Sequence, residues 1–434
     1  MMILISGGDI VDPKKGEVRK MDILIEAGKI SGIFSPGEFV KKGSQLKTID
    51  ASGKIVVPGL IDMHVHLREP GEEYKETIAT GALAGAAGGF TGLACMPNTT
   101  PANDNSSVTE FILGQASKAN LLRVYPVATI TKGRKGEILT EFGDLSKAGA
   151  VGVTDDGSPV INSEIMRRAL EYARYHNLTV ISHCEDTALS SGGVMHEGTI
   201  SARMGLQGIP SESEEIMVER EISLARLTEC PVHIAHVSTS GSVEAIRRAK
   251  EKGIPVTAET APHYFSLDHS AVVGYNTNAK MNPPLRTPDD VKAIREGLAD
   301  DVIDVIATDH APHSPLEKNL EFDKAAFGVI GLETALPLTM ALVRDGVLSL
   351  PAAIKKLSYT PALILGVCGG LLKKGASADL AVIDPELEYV LKEEDILSRS
   401  KNSPFIGWTL KGRNIITMVG GRIVWSRNTE HISG

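Results

Sequence analysis

Eight short runs of apolar and β-branched residues, most of them separated by segments with helical periodicity, constrain the fold of this chain more than any other feature. Segments 163–173 and 214–227 place apolar residues three or four positions apart, as an amphipathic helix requires. An open doubly wound sheet uses the same alternation, but no Gly-x-Gly-x-x-Gly opens a helix after the first run. The pattern therefore predicts a closed parallel (β/α)8 barrel, the TIM-like architecture. The runs are 56–66, 91–96, 122–128, 151–155, 178–183, 232–236, 254–259 and 302–309.

The two ends of the chain have a different pattern. Residues 3–33 and 378–425 contain short strands separated by tight turns, which predicts antiparallel hairpins. Because neither piece is long enough to bury a core of its own, we expect the two ends to meet in one small β domain beside the barrel. The predicted organisation is a discontinuous β domain, 1–55 and 366–434, and a barrel, 56–365.

Composition excludes several classes of function. The 434 residues carry a net charge of −9 with no block of Lys or Arg, which argues against nucleic acid as a partner. No apolar run approaches the ~18 residues of a membrane span. The first residues lack the basic segment of a signal peptide, and the four cysteines form no Cys-x-x-Cys pair. We therefore expect a cytoplasmic protein with free thiols.

Side chains that bind metals stand where several runs end. In a barrel of this kind the carboxyl ends of the strands form the face that carries the active site. A chance His-x-His pair, or a single buried histidine, carries little weight by itself. The set favours a metal site, because four of the twelve histidines and two acids lie at these ends. The six residues are His64, His66, Asp156, His183, His236 and Asp309.

Six ligands are too many for one tetrahedral zinc ion with an open position. They suit two ions about 3.5–4 Å apart that share a carboxylate and a hydroxide. We expect His64, His66 and Asp309 at the first ion, His183 and His236 at the second, and Asp156 at both.

Asp309 has a second predicted role. A carboxylate beside a metal-bound hydroxide is placed to take a proton and return it, so Asp309 is the candidate general base and acid. The identity of the shared carboxylate is less constrained. Strand alternation favours Asp156 over its neighbour Asp155 without excluding the latter.

With these residues the chain resembles the amidohydrolase superfamily and, within it, the dihydroorotases of the longer bacterial type. The resemblance extends essentially from end to end. Its most specific parts are the runs His-Leu-Arg-Glu-Pro-Gly and Asp-His-Ala-Pro-His. The matching motifs, in the family's order, are residues 58–71, 96–99, 155–157, 281–286 and 308–313.

The resemblance implies reversible cyclisation of N-carbamoyl-L-aspartate to L-dihydroorotate in pyrimidine (UMP) biosynthesis, with two Zn²⁺ ions per subunit and a bridging hydroxide as nucleophile. It assigns Asp156 as the shared carboxylate. Many relatives use a carbamylated lysine there, but the fourth run has no lysine near its end, since Lys147 precedes it. That departure favours a dihydroorotase over a dihydropyrimidinase, hydantoinase or allantoinase.

The resemblance also implies which residues bind the substrate. A guanidinium fork suits a carboxylate, and an amide and an imidazole add hydrogen-bond donors. Alternatives are a surface salt bridge for the arginine and a turn residue for the asparagine. The residues expected to bind the substrate carboxylate are Arg68, Asn98 and His313. The residues expected to contact the ring are Asn282, Phe327 and Gly328.

Two other functions remain open from the sequence. One is another cyclic amidase, acting on hydantoins, dihydropyrimidines or allantoin; Arg68 argues against it, because neutral rings need no carboxylate ligand. The other is a non-catalytic scaffold for aspartate transcarbamoylase, which the complete ligand set argues against. An association with that enzyme is compatible with catalysis, and we expect a homodimer.

Cys184 follows the predicted ligand His183 directly. A thiolate there would be a good zinc ligand in an unliganded state. Strand alternation instead favours a small buried thiol on the other side of the strand.

Overall fold

The computed structural model describes residues 2–39, 46–427 and 432–433 of the chain. Eight parallel strands form the predicted barrel, in sequential order around its circumference. A parallel bridge between Val65 and His310 joins the first strand to the segment after the last and brings the two edges together. The barrel strands are β6 (Leu60–Val65), β7 (Phe90–Cys95), β8 (Arg123–Ala128), β9 (Gly152–Val153), β10 (Thr179–Ser182), β13 (Val232–Ile234), β14 (Val256–Thr260) and β15 (Val305–Ile306).

The two ends of the chain meet in one sheet, which confirms the prediction of a separate β layer built from both. Its main path runs through β18 (Arg422–Ser426), β17 (Thr409–Val419), β16 (Leu380–Val390), β5 (Ile55–Pro58), β1 (Met2–Asp12), β2 (Glu17–Glu26) and β3 (Lys29–Phe34), and β4 (Leu46–Asp50) pairs with β1 and with β19 (Ile432–Ser433). The antiparallel pairs β1–β2, β2–β3, β16–β17 and β17–β18 are the hairpins that the turns predict.

The prediction that the first run, 56–66, forms a single barrel strand is wrong. Its first part is β5, which pairs with β16 and β1 of the terminal sheet, and only β6 belongs to the barrel. Gly59 separates them: its backbone N–H donates to the carbonyl of Asp379, and a Cβ there would lie 2.1 Å from the Thr91 hydroxyl. A larger residue would clash where the chain crosses from one sheet to the other.

Helices cover the outside of the barrel. The periodic segments 163–173 and 214–227 lie in α4 (Ser163–Tyr175) and α7 (Glu212–Thr228), as predicted. Asn162 begins α4 by accepting hydrogen bonds from the backbone N–H groups of Glu164 and Ile165. The helices are α1 (Ile78–Gly88), α2 (Ser106–Ala119), α3 (Phe142–Ala148), α4 (Ser163–Tyr175), α5 (Thr187–Ser190), α6 (Thr199–Met204), α7 (Glu212–Thr228), α8 (Ser240–Glu251), α9 (Pro262–Ser266), α10 (Pro288–Ala299), α11 (Pro315–Lys318), α12 (Ala335–Arg344), α13 (Leu350–Ile354) and α14 (Thr360–Leu365).

The segment between β10 and α7 contains a small ribbon that the sequence pattern did not predict. Its strands, β11 (Met195–His196) and β12 (Gly208–Ile209), are only two residues each and pair in parallel. Strands this short have no alternation to recognise, so the sequence pattern does not reveal them. Among the described residues, none of the helices combines the length and the apolar character needed to cross a bilayer.

The interior of the barrel is apolar below the strand ends. Ile61, Met63 and Val127 pack there with residues of the other strands. Simple alternation from Ile61 and Met63 would turn His64 away from the interior. The pairing of β6 with β7 is irregular between Asp62 and Val65, and there the alternation breaks. The polar site begins directly above this apolar layer.

Candidate metal centre and active-site cavity

Four imidazoles surround the carboxylate of Asp156 at the carboxyl ends of the strands. Its oxygens lie 3.4 Å from His64 Nε2, 3.6 Å from His66 Nε2, 3.5 Å from His183 Nδ1 and 3.7 Å from His236 Nε2. All five side chains are buried. The first, fourth, fifth and sixth barrel strands therefore bring their terminal side chains to one point.

This cluster contains two groups of candidate metal ligands that share one residue. The ligand atoms of His64, His66 and Asp156 lie within 4.8 Å of one another, and so do those of Asp156, His183 and His236. A carboxylate common to two groups of imidazoles suits a pair of cations with a shared ligand. The described residues thus include a site able to bind metal ions.

Hydrogen bonds on the far side of the ring fix the orientation of three of the four imidazoles, those of His64, His66 and His183. His64 Nδ1 donates to Glu259 Oε1 at 2.5 Å, and His66 Nδ1 donates to Asn98 Oδ1 at 2.7 Å. The Nε2 atom of His64 is buried and has no hydrogen-bond partner among the described residues. A tautomer fixed by an outer acceptor, with the other nitrogen free, is the usual arrangement of a metal-binding histidine.

In the second group of ligands, His183 has the same arrangement with the nitrogens exchanged. His183 Nε2 donates to Glu185 Oε2 at 2.9 Å, which turns Nδ1 toward Asp156. That Nδ1 atom lies 2.8 Å from His236 Nε2. Nitrogen and carboxylate oxygen atoms that converge in this way fit Zn²⁺ and similar ions.

Asp309 lies beside the first group. Its Oδ1 atom is 3.1 Å from His66 Nε2 and 3.5 Å from His64 Nε2, and its side chain lines the cavity described below. The backbone of Asp309 has φ +48°, and those of Arg68 and His236 have φ +59° and +35°. Such left-handed conformations are costly for residues other than glycine and concentrate at functional sites.

The electrostatics of the cluster keep its carboxylates ionised. Burial alone would raise the pKa of Asp156 and of Asp309, but the surrounding imidazoles lower both below the usual range. Burial alone would lower the pKa of His183, but Asp156 and Glu185 raise it to about 10. Carboxylates in this state are ready to bind a cation, whereas His183 has to release a proton on binding.

A cavity of about 350 Å³ opens above the cluster. It brings together every residue that the sequence analysis expected to contact substrate, as well as five of the six expected metal ligands. The exception, His64, lies below the floor of the cavity with no exposed surface. The expected substrate contacts that line the cavity are Arg68, Asn98, Asn282, His313, Phe327 and Gly328.

Arg68 and His313 form a joined pair on the cavity wall. Arg68 Nε donates to the carbonyl of Pro312 at 3.2 Å, and its Nη2 donates to His313 Nε2 at 3.2 Å. Burial and the neighbouring charge of Arg68 lower the pKa of His313 to about 3, so its imidazole is neutral at physiological pH. The pair therefore presents one buried positive charge to a ligand.

Two acids at this site were missed by the sequence analysis. Glu259 ends the seventh run and orients His64, and Glu185 lies two residues after His183 and orients it. Glu185 Oε2 also accepts a hydrogen bond from Asn282 Nδ2 at 3.0 Å, which connects a candidate metal ligand, His183, to an expected substrate contact. The position of Glu259 at a strand end was a usable signal.

Two buried lysines hold the loop that carries Phe327 and Gly328. Lys318 Nζ donates to the carbonyl oxygens of Ala326 at 2.8 Å and Gly328 at 3.0 Å. Lys280 Nζ lies 4.4 Å from the centre of the Phe327 ring, within the range of a cation–π contact. Burial lowers the pKa of Lys318 to about 7 and of Lys280 to about 8.

Cys184 is a buried thiol close to Ser182 and belongs to neither group of candidate ligands. Burial raises its pKa well above the usual value, which disfavours the thiolate that metal binding requires. The position agrees with the alternation argument for a thiol behind the strand.

Comparison with known proteins adds the family to this geometry. Residues 53–242 match the family model described as dihydro-orotase-like. A dihydroorotase of Geobacter metallireducens is 54% identical over 98% of this chain and 100% of its own length. A dihydroorotase of Syntrophotalea carbinolica is 55% identical over 98% and 99%. The chain belongs to the dihydroorotase family. As a member of that family it is a cyclic amide hydrolase.

Solved structures show that the fold of this dihydroorotase-family chain is shared with other cyclic amidases. An L-hydantoinase (dihydropyrimidinase) from Arthrobacter aurescens matches 98% of this chain and 96% of its own with a TM-score of 0.87 at 25% sequence identity. A D-hydantoinase structure matches with a TM-score of 0.84 at 22% identity, and a match at this identity shows the fold alone. The barrel and terminal sheet are therefore common to the two groups, and the side chains of the cavity have to distinguish the substrates.

Proposed function

We propose that this chain catalyses the reversible cyclisation of N-carbamoyl-L-aspartate to L-dihydroorotate, with release of water, in pyrimidine biosynthesis. The observation that carries the proposal is the Arg68–His313 pair in the same cavity as the imidazole–carboxylate cluster. The cluster suits attack on an amide, and the buried guanidinium suits a substrate that also bears a carboxylate. Hydantoin and dihydrouracil carry no such group.

We infer that the site takes two Zn²⁺ ions. His64, His66 and Asp309 would hold one, His183 and His236 the other, and Asp156 both. When bound, such ions act as Lewis acids that polarise a carbonyl and make water nucleophilic near neutral pH.

The side chains of the chain itself would position the ring and move the proton. Arg68, Asn98 and His313 hold the carboxylate of the ring. Asp309 takes a proton from the attacking water and delivers it to the ring nitrogen that leaves as the amide opens. In the direction of ring closure Asp309 removes the proton from the ureido nitrogen as that nitrogen attacks the carboxylate carbon. It gives the proton to the carboxylate oxygen, which takes a second proton from solvent and leaves as water. The groups that contact the ring itself are Asn282, Phe327 and Gly328.

The proposal includes a cytoplasmic homodimer and aspartate transcarbamoylase as a candidate partner. Both rest on the family resemblance. Light scattering on the purified chain, alone and mixed with that enzyme, tests the two assemblies independently of the catalytic proposal.

The purified, zinc-loaded chain should interconvert dihydroorotate and N-carbamoyl-L-aspartate. It should hydrolyse hydantoin, dihydrouracil and allantoin much more slowly. Ring opening creates a carboxylate and releases a proton, so rising pH should shift the equilibrium toward N-carbamoyl-L-aspartate. The ratio of the two compounds is measured by chromatography after equilibration from both sides at several pH values. A preference for the neutral rings would identify another cyclic amidase, and a ratio independent of pH would exclude this reaction.

Replacing Arg68 by alanine is expected to reduce kcat/KM for dihydroorotate by about a hundredfold or more. A buried carboxylate would lose a charge-assisted, two-pronged partner worth roughly 1.5–3 kcal/mol per hydrogen bond. Any residual rate on dihydrouracil, the same ring without the carboxylate, should change little. The exposed Arg203, replaced by alanine, is the matched control. Full activity of the Arg68→Ala enzyme on dihydroorotate would contradict the proposed carboxylate site.

A further inference from the structure

Arg134 is a second arginine on the wall of the same cavity, and no role has so far been assigned to it. It lies in the loop that follows β8, beyond the end of the third run. One guanidinium nitrogen, Nη2, donates to Ser158 Oγ at 2.8 Å. Ser158 follows Asp156 and Gly157 directly, so Arg134 links the loop after the third barrel strand to the loop that carries the shared carboxylate.

The hydrogen-bonding capacity of Arg134 is incompletely used. Its Nε is buried and has no partner among the described residues, and within that part of the chain the side chain forms no ion pair. The carboxylate of Asp155 does not pair with Arg134. It accepts hydrogen bonds instead from the backbone N–H groups of Ile130 and Thr131 and from the Thr131 hydroxyl. A guanidinium with an unsatisfied buried nitrogen is costly unless a ligand provides the missing acceptor.

Gly157 marks the space into which Arg134 and Asn98 both extend. A Cβ on Gly157 would lie 3.6 Å from Arg134 Nη2 and 4.0 Å from Asn98 Nδ2. Gly157 has φ +70° and Arg134 has φ +57°, so both residues hold left-handed backbone conformations beside this space. Asn98 is one of the side chains proposed to bind the substrate carboxylate, and Arg134 stands next to it.

We propose that Arg134 is a further substrate-binding and specificity-determining residue, which contacts the carboxylate of the ring from the side of Asn98. This inference rests on the proposed function, because it assumes a substrate with a carboxylate. The site would then surround that group with two guanidinium ions, Arg68 and Arg134. Neutral cyclic amides would gain nothing from the second charge, so the residue adds to the discrimination between the two classes of substrate.

The test combines kinetics with equilibrium binding. In the zinc-loaded enzyme, Arg134→Gln should raise KM about ten- to hundredfold for both dihydroorotate and N-carbamoyl-L-aspartate, the loss expected for a charge-assisted hydrogen bond, with kcat less affected. Arg134→Lys should recover part of the loss. Lys135→Gln removes a positive charge from an exposed position on the same loop and should leave both constants unchanged.

Ser158→Ala separates binding from loop position. It removes the hydrogen bond between Ser158 and Arg134 but keeps the guanidinium, and its effect on KM should be clearly smaller than that of Arg134→Gln. Equal effects of the two variants would mean that Arg134 only holds the loop, and would overturn the inference. An unchanged KM in Arg134→Gln, or a fall in kcat alone, would also overturn it.

Calorimetry keeps the inference separate from the proposed reaction. Dihydroorotate and dihydrouracil are titrated into zinc-loaded Asp309→Asn protein with and without Arg134→Gln. Weaker binding of dihydroorotate only, with dihydrouracil unchanged, supports a carboxylate contact even if the wild-type enzyme fails to turn over dihydroorotate and the proposed function is wrong. Equal weakening of both ligands, or of neither, contradicts it.

Discussion

Replacing Asp309 by asparagine is expected to lower kcat for ring opening and ring closure by at least about a thousandfold, near the upper end of what a general base contributes. Asparagine has the same shape and retains one oxygen, but it can neither take a proton from the attacking water nor return it to the ring nitrogen. Asp309 Oδ1 lies 3.1 Å from His66 Nε2, so the carboxylate is held beside the candidate ligands of the first proposed metal position. Stopped assays in both directions with the zinc-loaded variant measure the loss.

The zinc content of the Asp309→Asn protein decides how that loss is interpreted. Its other five candidate ligands are intact, and we expect most of the metal to remain. Asp323→Asn removes an exposed carboxylate from the same segment between β15 and α12 and should have wild-type rates. Wild-type kcat in Asp309→Asn would exclude the proton-transfer role. Loss of both metal and activity would assign Asp309 to metal binding alone.

The sequence could predict the parts of this molecule that follow from local pattern and chain order. Runs of β-branched residues alternating with amphipathic segments indicate a barrel, and a barrel gathers its strand ends at one face. His64 and His236 lie far apart in the chain, yet the rule brings both to Asp156. The resemblance to a family then supplied the substrate, which strand ends alone do not specify.

What the sequence could not predict depends on contacts between distant segments. Glu259 orients His64 because β14 and β6 direct these side chains toward each other, and no spacing along the chain encodes that. Arg134 reaches the cavity only because its loop turns back toward Ser158. The division of run 56–66 likewise depends on β16, more than 300 residues away, which pairs with β5.

Replacing Asp156 by alanine is expected to abolish metal binding at both positions and to reduce kcat/KM by at least about a thousandfold, since metal activation supplies several kcal/mol of transition-state stabilisation. Asp156 is the one residue common to both groups of candidate ligands. Without it, each proposed position loses its shared anion, and the second keeps only His183 and His236. The measurements are zinc per chain after dialysis, and activity in both directions.

Thermal unfolding gives a second, independent readout of the same substitution. An ion that binds only the folded chain stabilises it by mass action, so excess Zn²⁺ should raise the Tm of the metal-depleted wild-type protein. The Asp156→Ala protein should show little or no such rise, whereas Asp144→Ala, which removes an exposed carboxylate from α3, should respond like the wild type. Two zinc ions per chain together with a normal rise in Tm in Asp156→Ala would show that Asp156 is not the shared ligand. One ion per chain in that variant would instead mean that one of the two positions is complete without it.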